Sequence, residues 1–521
     1  MDKNQAVLWA LLALGGLGLV GGGAAYVFFA DGSDRSATPQ ASTHLPGAGV
    51  NGRIQTFCSS CHLYPSPEIF PRSAWKEEIE RAYRFFAESG QTQSPPQIED
   101  AIRYYEEAAP LELPAAVVEP ATTPLPVAFE KTPVAALPAP ALPAISNVNL
   151  VHLFDDRRLD VLACDMRRGE VLVYRPYQPA PAWRPLAHVP CPAHAEVVDL
   201  DGDGIKDILV ACLGSMDATD DRCGSVVWLR GNGDGTFTPH TLLADVGRVA
   251  DVQAGHFRDK DKFDLIVAVF GGNRTGEVRF LENQTRDWTQ PKFVSRTLDE
   301  RHGAIHVPVV DLDGDGNLDF VALISQEHEV IVAYLNDGKG NFTPKELYRA
   351  PHPAYGSSGI QVVDIDGDRK PDILYTNGDT RDKPFVLRPF HGVQWLENKG
   401  GLRFEHHPIT PLYGAHRAVA ADFTGTGRMD IVAVSYLPAD LFPQRQAKRL
   451  DAVLYLEQVG RGRFIRHSLE TATCDHVTCA AGDIFGRRQA DLVSGTIASF
   501  AADPAITIWK SLRNSTSKNS P

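Results

Sequence analysis

Cys58, Cys61 and His62 stand as C-x-x-C-H in a chain of 521 residues that holds eight cysteines. Two thiols at this spacing, with an imidazole directly after, can hold a metal, exchange a disulfide or take a covalent prosthetic group. A zinc knuckle needs a second ligand pair close by, and none lies within the following 90 residues. A redox C-x-x-C belongs in a βαβ setting, which the flanking sequence does not offer. The chemistry left is covalent haem attachment. Both thiols add to porphyrin vinyl groups and His62 supplies the proximal iron ligand. One haem c is expected on Cys58, Cys61 and His62.

A second set of residues repeats. Asp199, Asp201, Asp203 and Asp207 fall in D-x-D-G-D-G-x-x-D, and Asp311, Asp313, Asp315 and Asp319 do the same. A third copy holds Asp364, Asp366, Asp368 and Asp372, with Arg369 in place of the second glycine. Four clustered carboxylates repel one another. Joined by a backbone carbonyl, they match a hard cation that wants roughly six to eight oxygens. An EF-hand would carry Glu at its twelfth loop position; here Val210, Ala322 and Tyr375 stand there. About three calcium sites are expected.

Histidines and the other cysteines allow further chemistry. His194 and His306 stand five residues before the first Asp of their loops, His416 six and His476 seven, while the fifth repeat has Gly359 there. Such positions converge at one mouth of a channel, opposite the acidic loops and beside the long loops 212–223, 377–391 and 436–450. They serve either as a metal or proton-transfer centre or as polar lining. The six cysteines outside the C-x-x-C-H motif pair by position as Cys164/Cys191, Cys212/Cys223 and Cys474/Cys479. In an exported protein this favours three disulfides over free buried thiols.

The elements that position these groups are legible as periodicity. Residues 75–88 and 98–109 show helical patterns, the second with acidic residues in its first turn. Residues 114–126 are a Pro/Ala-rich linker. Beyond it one unit recurs: an apolar strand, a polar turn, an Asp, another apolar strand. The closing residues are Asp160, Asp207, Asp264, Asp319, Asp372, Asp430 and Asp491, spaced by 47, 57, 55, 53, 58 and 61. A third strand follows each copy. A fourth follows all but the last and carries one aromatic anchor: Trp183, Phe237, Phe293, Phe342, Phe404 or Phe464. Four short strands at this period give an all-β, seven-bladed β-propeller over 127–512. The last copy lacks its fourth strand, and residues 127–137 with Phe129 are expected to supply it, closing the ring. Residues 513–521 form a tail.

Two resemblances follow from these motifs. The segment 51–113 resembles a small all-α class I cytochrome c domain, through its C-x-x-C-H and its C-terminal aromatic helix with Tyr104 and Tyr105. That family usually supplies a methionine as sixth ligand, and Met1, Met166, Met216 and Met429 all lie outside the segment. His44, Lys76, a tyrosine, Met216 or a vacant position remain open. The acidic repeats resemble FG-GAP (VCBS-type) repeats of integrin α-subunit propellers over nearly all of 127–512. The resemblance implies that backbone oxygens of Ile205, Asn317 and Lys370 complete the calcium sites.

The compartment follows from the N-terminus. Residues 6–30 carry no charge and are long enough to span a bilayer as a helix. Lys3 before them and Asp31 after them place the bulk outside the cytoplasm. An uncleaved signal anchor over 1–30 is favoured over a cleaved signal peptide, followed by a Ser/Gly/Pro-rich spacer, 31–50. A formal net charge of −14 excludes non-specific nucleic-acid binding. No P-loop, dinucleotide fingerprint or catalytic triad is present. The expectation is a membrane-anchored, periplasmic electron-transfer protein with a redox partner protein and no known substrate. The alternatives are an oxidoreductase with a substrate or metal site on the propeller face, and an adhesion protein.

Overall fold

Each repeat is organised by its closing aspartate. Asp207 opens the strand Asp207–Cys212 and is fully buried. Its Oδ2 accepts the Leu200 N–H at 3.0 Å and its Oδ1 the Gly231 N–H at 2.7 Å. One carboxylate thereby joins the start of the acidic turn to the end of the third strand. Asp319 repeats the arrangement with Leu312 and Asn336, Asp372 with Ile365 and Asn398, and Asp491 with Ile484 and Ser511. In Asp160 and Asp430 a tyrosine hydroxyl, Tyr177 or Tyr455, takes part of the second oxygen's place, and in Asp264 the Arg258 guanidinium does. A buried carboxylate is tolerable only when its lone pairs are met in this way.

The computed structural model describes residues 49–119 and 121–512. The seven copies form seven antiparallel sheets, numbered here as blades 1–7 by their closing aspartates. The inner strand of blade 4 is split into Ala304–His306 and Val309–Val310, because Pro308 has no N–H to give the ladder. Blade 7 takes its outer strand from the other end of the propeller. Ala128–Val134 pairs antiparallel with Ile506–Leu512, in register from Ala128 opposite Leu512 to Val134 opposite Ile506. Phe129 sets its ring 6.0 Å from both Phe423 and Tyr455 of blade 6.

The core is a ring of apolar clusters, one at each blade junction. Val134, Ile484 and Ile506 meet Ile145 and Val148 where the last blade joins the first. Phe257 and Phe280 of blade 3 meet Phe320 and Tyr334 of blade 4. Alternate residues of the second strands face alternate neighbours, so these strands are buried on both sides.

Before the propeller the described residues form three α-helices, α1 (Val50–Cys58), α2 (Arg72–Glu88) and α3 (Ile98–Ala108). Trp75 and Ile79 of α2 and Ala101 and Tyr105 of α3, each pair four residues apart, make the buried seam. Trp75 stacks on Tyr105 at 4.1 Å, and its Nε1 donates to the Pro67 carbonyl at 2.9 Å. The helices sit over blades 4 and 5, on the face opposite the acidic turns. Ala354 and Phe390 pack into their core, Arg388 lies 5.4 Å from the Phe70 ring, and Lys383 pairs with Glu77 at 2.6 Å. The linker has no helix or strand among its described residues. It is tied to the propeller by the Ala116 N–H, which donates to Tyr413 Oη at 2.8 Å, and by Leu125 in the blade 6–7 cluster.

The expected anchor 1–30, most of the spacer and the tail 513–521 lie outside the described residues. No helix among the described residues is long and apolar enough to cross a membrane. The disulfide expectation is corrected: all eight cysteines are free. Cys164 and Cys212 both lie in the apolar cluster between blades 1 and 2. The Cys223 thiol donates to the Leu213 carbonyl, the Cys474 thiol to the Leu450 and Asp451 carbonyls, and Cys479 is in the blade 6–7 cluster.

Removing a closing aspartate orphans two buried N–H groups. Asp319→Ala is expected to cost roughly 2–4 kcal/mol in urea unfolding without calcium. The exposed Asp313→Ala is expected to cost less than about 1 kcal/mol under the same conditions.

Candidate functional site

Cys58 ends α1, and Cys61 and His62 follow in the turn that leaves it. His62 Nδ1 is 2.7 Å from the Leu63 carbonyl oxygen. A carbonyl only accepts, so the proton is on Nδ1 and Nε2 keeps its lone pair, the tautomer a metal ligand requires. Burial pushes the Cys58 thiol up to about 11. Cys58, Cys61 and His62 line one cavity with Phe57, Ile69, Phe70, Trp75, Ile79, Tyr83, Phe86 and Tyr105. The cavity volume is about 170 Å³, and the cavity opens to solvent at its mouth.

The rest of the cavity wall belongs to the propeller. Gln326 and Glu327 of blade 4, Pro353 and Ala354 of the connection to blade 5, and Asp382, Lys383 and Arg388 of the loop before Gly392 all line it. Arg388 is buried, and its guanidinium donates to the Asp382 carbonyl at 3.0 Å. Glu78 also faces the cavity, paired with Arg81, and burial pushes its carboxyl up to about 7. An apolar slot with two thiols, one available imidazole nitrogen and the cations Arg81, Lys383 and Arg388 fits a haem. Cys58, Cys61 and His62 would hold its vinyl carbons and iron, and the cations suit its two carboxylates. Sequence reasoning missed Glu78, Arg81 and the propeller wall. The length of the 377–391 loop was the one signal that pointed toward part of it.

The open choices for a sixth ligand narrow. His44 lies outside the described residues. Lys76 lines a separate groove with Glu80 and Ile98. Met216 is not among the cavity residues, nor is any other methionine. Tyr83 Oη donates to the Pro96 carbonyl at 3.0 Å. Tyr105 is buried beside Cys58, and burial pushes its phenol far up, so it stays protonated.

The acidic turns keep one backbone form. In blade 4, Asp311 accepts the Gly314 N–H at 2.8 Å and the Gly316 N–H at 3.0 Å, and Asp315 accepts the Asn317 N–H at 2.8 Å. Arg369 holds the position of the second glycine at a φ of 68°, a conformation that is costly for a residue with a Cβ. Carboxylate oxygens of Asp199, Asp201 and Asp203 gather within 4.8 Å, as do those of Asp311, Asp313 and Asp315, and of Asp364, Asp366 and Asp372. Asp207 and Asp319 stand apart, engaged with backbone N–H groups as described. The three turns differ in one respect. Arg230 reaches Asp201 at 2.6 Å in blade 2, and Arg461 reaches Asp366 at 2.7 Å and Asp368 at 2.9 Å in blade 5, where Lys370 also pairs with Asp368. In blade 4 the side chain on Asp315 is the neutral amide of Asn317, at 2.9 Å. Ile205, Asn317 and Lys370 occupy the turn positions whose backbone oxygens the resemblance assigned to the ion.

The histidines do not form one cluster. His194 Nδ1 meets Asp251 at 2.8 Å and His306 Nδ1 meets it at 3.8 Å, while Arg417 donates to His306 Nε2 at 3.1 Å. His416 Nδ1 donates to the Val477 carbonyl at 2.6 Å, and His476 turns to Glu470 at 3.4 Å. Burial, then Arg417, holds His306 down at about 4, and burial holds His416 at about 4. These are polar channel groups with protein partners.

A family model described as an FG-GAP-like repeat matches residues 311–375, which span the acidic turns of blades 4 and 5. The chain is similar to that repeat in this stretch. No curated protein matches the chain.

Calcium is expected to raise the melting temperature, and the blade 4 turn, free of a guanidinium, is expected to contribute most. Asp313→Asn should weaken the calcium response by roughly tenfold in apparent affinity, a loss of about 1.4 kcal/mol. Arg461→Gln should strengthen it. Thermal unfolding across a calcium titration measures both.

Proposed function

We propose that the chain is an exported, membrane-anchored electron-transfer protein with one haem c on Cys58, Cys61 and His62, and a calcium-binding propeller that forms part of the haem wall. The observation that carries this reading is His62. Its Nδ1 is fixed on the Leu63 carbonyl and leaves Nε2 free in the cavity that Cys58 and Cys61 share. Bound there, a haem supplies one-electron exchange between its ferric and ferrous states.

The protein's own groups set the conditions for that exchange. Phe57, Phe70, Trp75 and Phe86 give the slot an apolar lining, which would strengthen electrostatic effects on a haem held there. Arg81, Lys383 and Arg388 offset carboxylate charge along the wall. The propeller limits approach to the cavity on one side, which leaves the helical side for a redox partner protein. Anchoring through residues 6–30 would keep the exchange at the membrane surface. Calcium at the acidic turns, on the opposite face, would stiffen the platform.

A second reading, ligand binding or catalysis at the iron, is favoured by one observation. Apart from His62, the described residues lining the cavity include no histidine and no methionine.

The test is an optical spectrum of protein purified from cells able to mature c-type cytochromes, oxidised, dithionite-reduced, and reduced with carbon monoxide. The expected result is a c-type spectrum, and a shift with carbon monoxide would favour the second reading. No haem absorption would overturn the assignment, and no shift would mean that a strong sixth ligand reaches the iron from outside the cavity residues.

Glu78 makes a further expectation. Its raised folded-state value, about 7, means it is neutral in acid and gains charge as pH rises through that value. A carboxylate on the cavity wall would favour the ferric state of a haem held there. The midpoint potential should fall between about pH 6 and 8 in a potentiometric titration, and Glu78→Gln should flatten the profile.

A further inference from the structure

Blade 4 carries a group of metal-binding side chains that neither the acidic turns nor the C-x-x-C-H motif uses. His302 precedes the strand Ala304–His306, and Glu327 and His328 form the turn after Asp319–Ile324. His302 Nε2 is 3.0 Å from Glu327 Oε2, and His328 Nε2 is 4.0 Å from Glu327 Oε1. The imidazole centroids are 5.0 Å apart, and one donor atom from each residue lies within 4.8 Å of the others. His302 is buried, and the buried His328 Nε2 has no hydrogen-bond partner.

The turn is held in this form at a cost. Gln326 and Glu329, on either side of Glu327 and His328, sit at φ 59° and 45°, where residues with a Cβ are strained by about 1 kcal/mol or more. Glu329 fixes the turn's end by accepting the Gly356 N–H at 2.8 Å and the Ser357 N–H at 3.0 Å. The arrangement is therefore built by buried contacts.

Donor spacing identifies the ligand class. With bonds of roughly 2.0–2.2 Å, neighbouring donors on a metal stand about 3 Å apart. The His302–Glu327 pair already has that spacing, and a small rotation of His328 brings in the third nitrogen. Two imidazoles and one carboxylate suit zinc, iron, nickel or copper, whereas calcium takes oxygen ligands throughout. The neighbouring Arg301 is paired with Asp299 at 2.6 Å. The other mixed group of this kind, Glu397, Glu405 and His407, already holds a cation, because Lys399 sits 2.8 and 3.2 Å from its two carboxylates.

We infer that His302, Glu327 and His328 bind one divalent transition-metal ion at the edge of the cavity between the helices and the propeller. Glu327 lines that cavity, so the ion bridges blade 4 and the wall of the proposed haem site. Three protein ligands leave further coordination positions for water or a small ligand. The inference stands on the blade 4 residues alone and does not need the haem.

The test uses the full chain, zinc as the probe, and excess calcium to fill the oxygen-only turns. Equilibrium dialysis with elemental analysis compares wild type with His328→Ala and Glu327→Gln. Each variant is expected to lose one zinc equivalent or to bind it at least roughly tenfold more weakly, since disturbing even an outer-sphere partner costs about that much. Equal zinc content and affinity in wild type and both variants would overturn the inference. Zinc-edge anomalous diffraction from zinc-soaked wild-type crystals needs no variant: a peak between His302, Glu327 and His328 is expected, and its absence would be equally decisive against the site.

Discussion

The pairing of Ala128–Val134 with Ile506–Leu512 is the constraint on which the rest of the molecule depends. Each blade buries its apolar faces only against two neighbours, so an open ring would leave the clusters at blades 1, 6 and 7 half exposed. The strand that closes the ring is separated in sequence from its partner by the whole propeller. Joining such distant segments costs entropy, though the cost grows only slowly with length. The backbone ladder, the packing of Phe129 and the apolar junction at Ile145 and Val148 offset it.

Closure also places the helices. The chain leaves α3 at Ala108, runs along the propeller through Ala116 and Leu125, and enters the ring at Ala128. That path carries the chain from the helices, over blades 4 and 5, to blade 7, where the ring closes. The helices take the face carrying the loops of blades 4 and 5, leaving the acidic turns free on the opposite face. The two chemistries of the molecule, sulfur and imidazole on one side and carboxylates on the other, are thereby kept apart.

How much could be read from the sequence depended on the range of the interaction. The closing aspartates, the acidic turns, C-x-x-C-H and the amphipathic helices are local patterns and were legible residue by residue. The exchange of the outer strand was legible too, because a missing Phe anchor in the last repeat matched a surplus one at Phe129. Docking left no local pattern. Arg388, Glu327 and Ala354 meet Phe70 and Trp75 only because two separately folded layers come together. The cysteine pairs failed for a related reason: nearness in sequence says nothing about what a thiol packs against, and Cys164 and Cys212 share an apolar cluster while Cys223 and Cys474 turn to backbone carbonyls. Spacing also suggested that four histidines would converge, yet only His194 and His306 share a partner, Asp251, while His416 turns to the Val477 carbonyl and His476 to Glu470.

The shared wall of the cavity imposes an order in time. Synthesis delivers the helices first, with Cys58, Cys61 and His62 beside a slot that lacks one side. Residues 326–388, which supply that side, appear only after three blades have been made. Through that interval the two thiols stay open to whatever machinery must reach them. Completion of blades 4 and 5 adds that side, while Cys61 stays exposed at the mouth of the cavity.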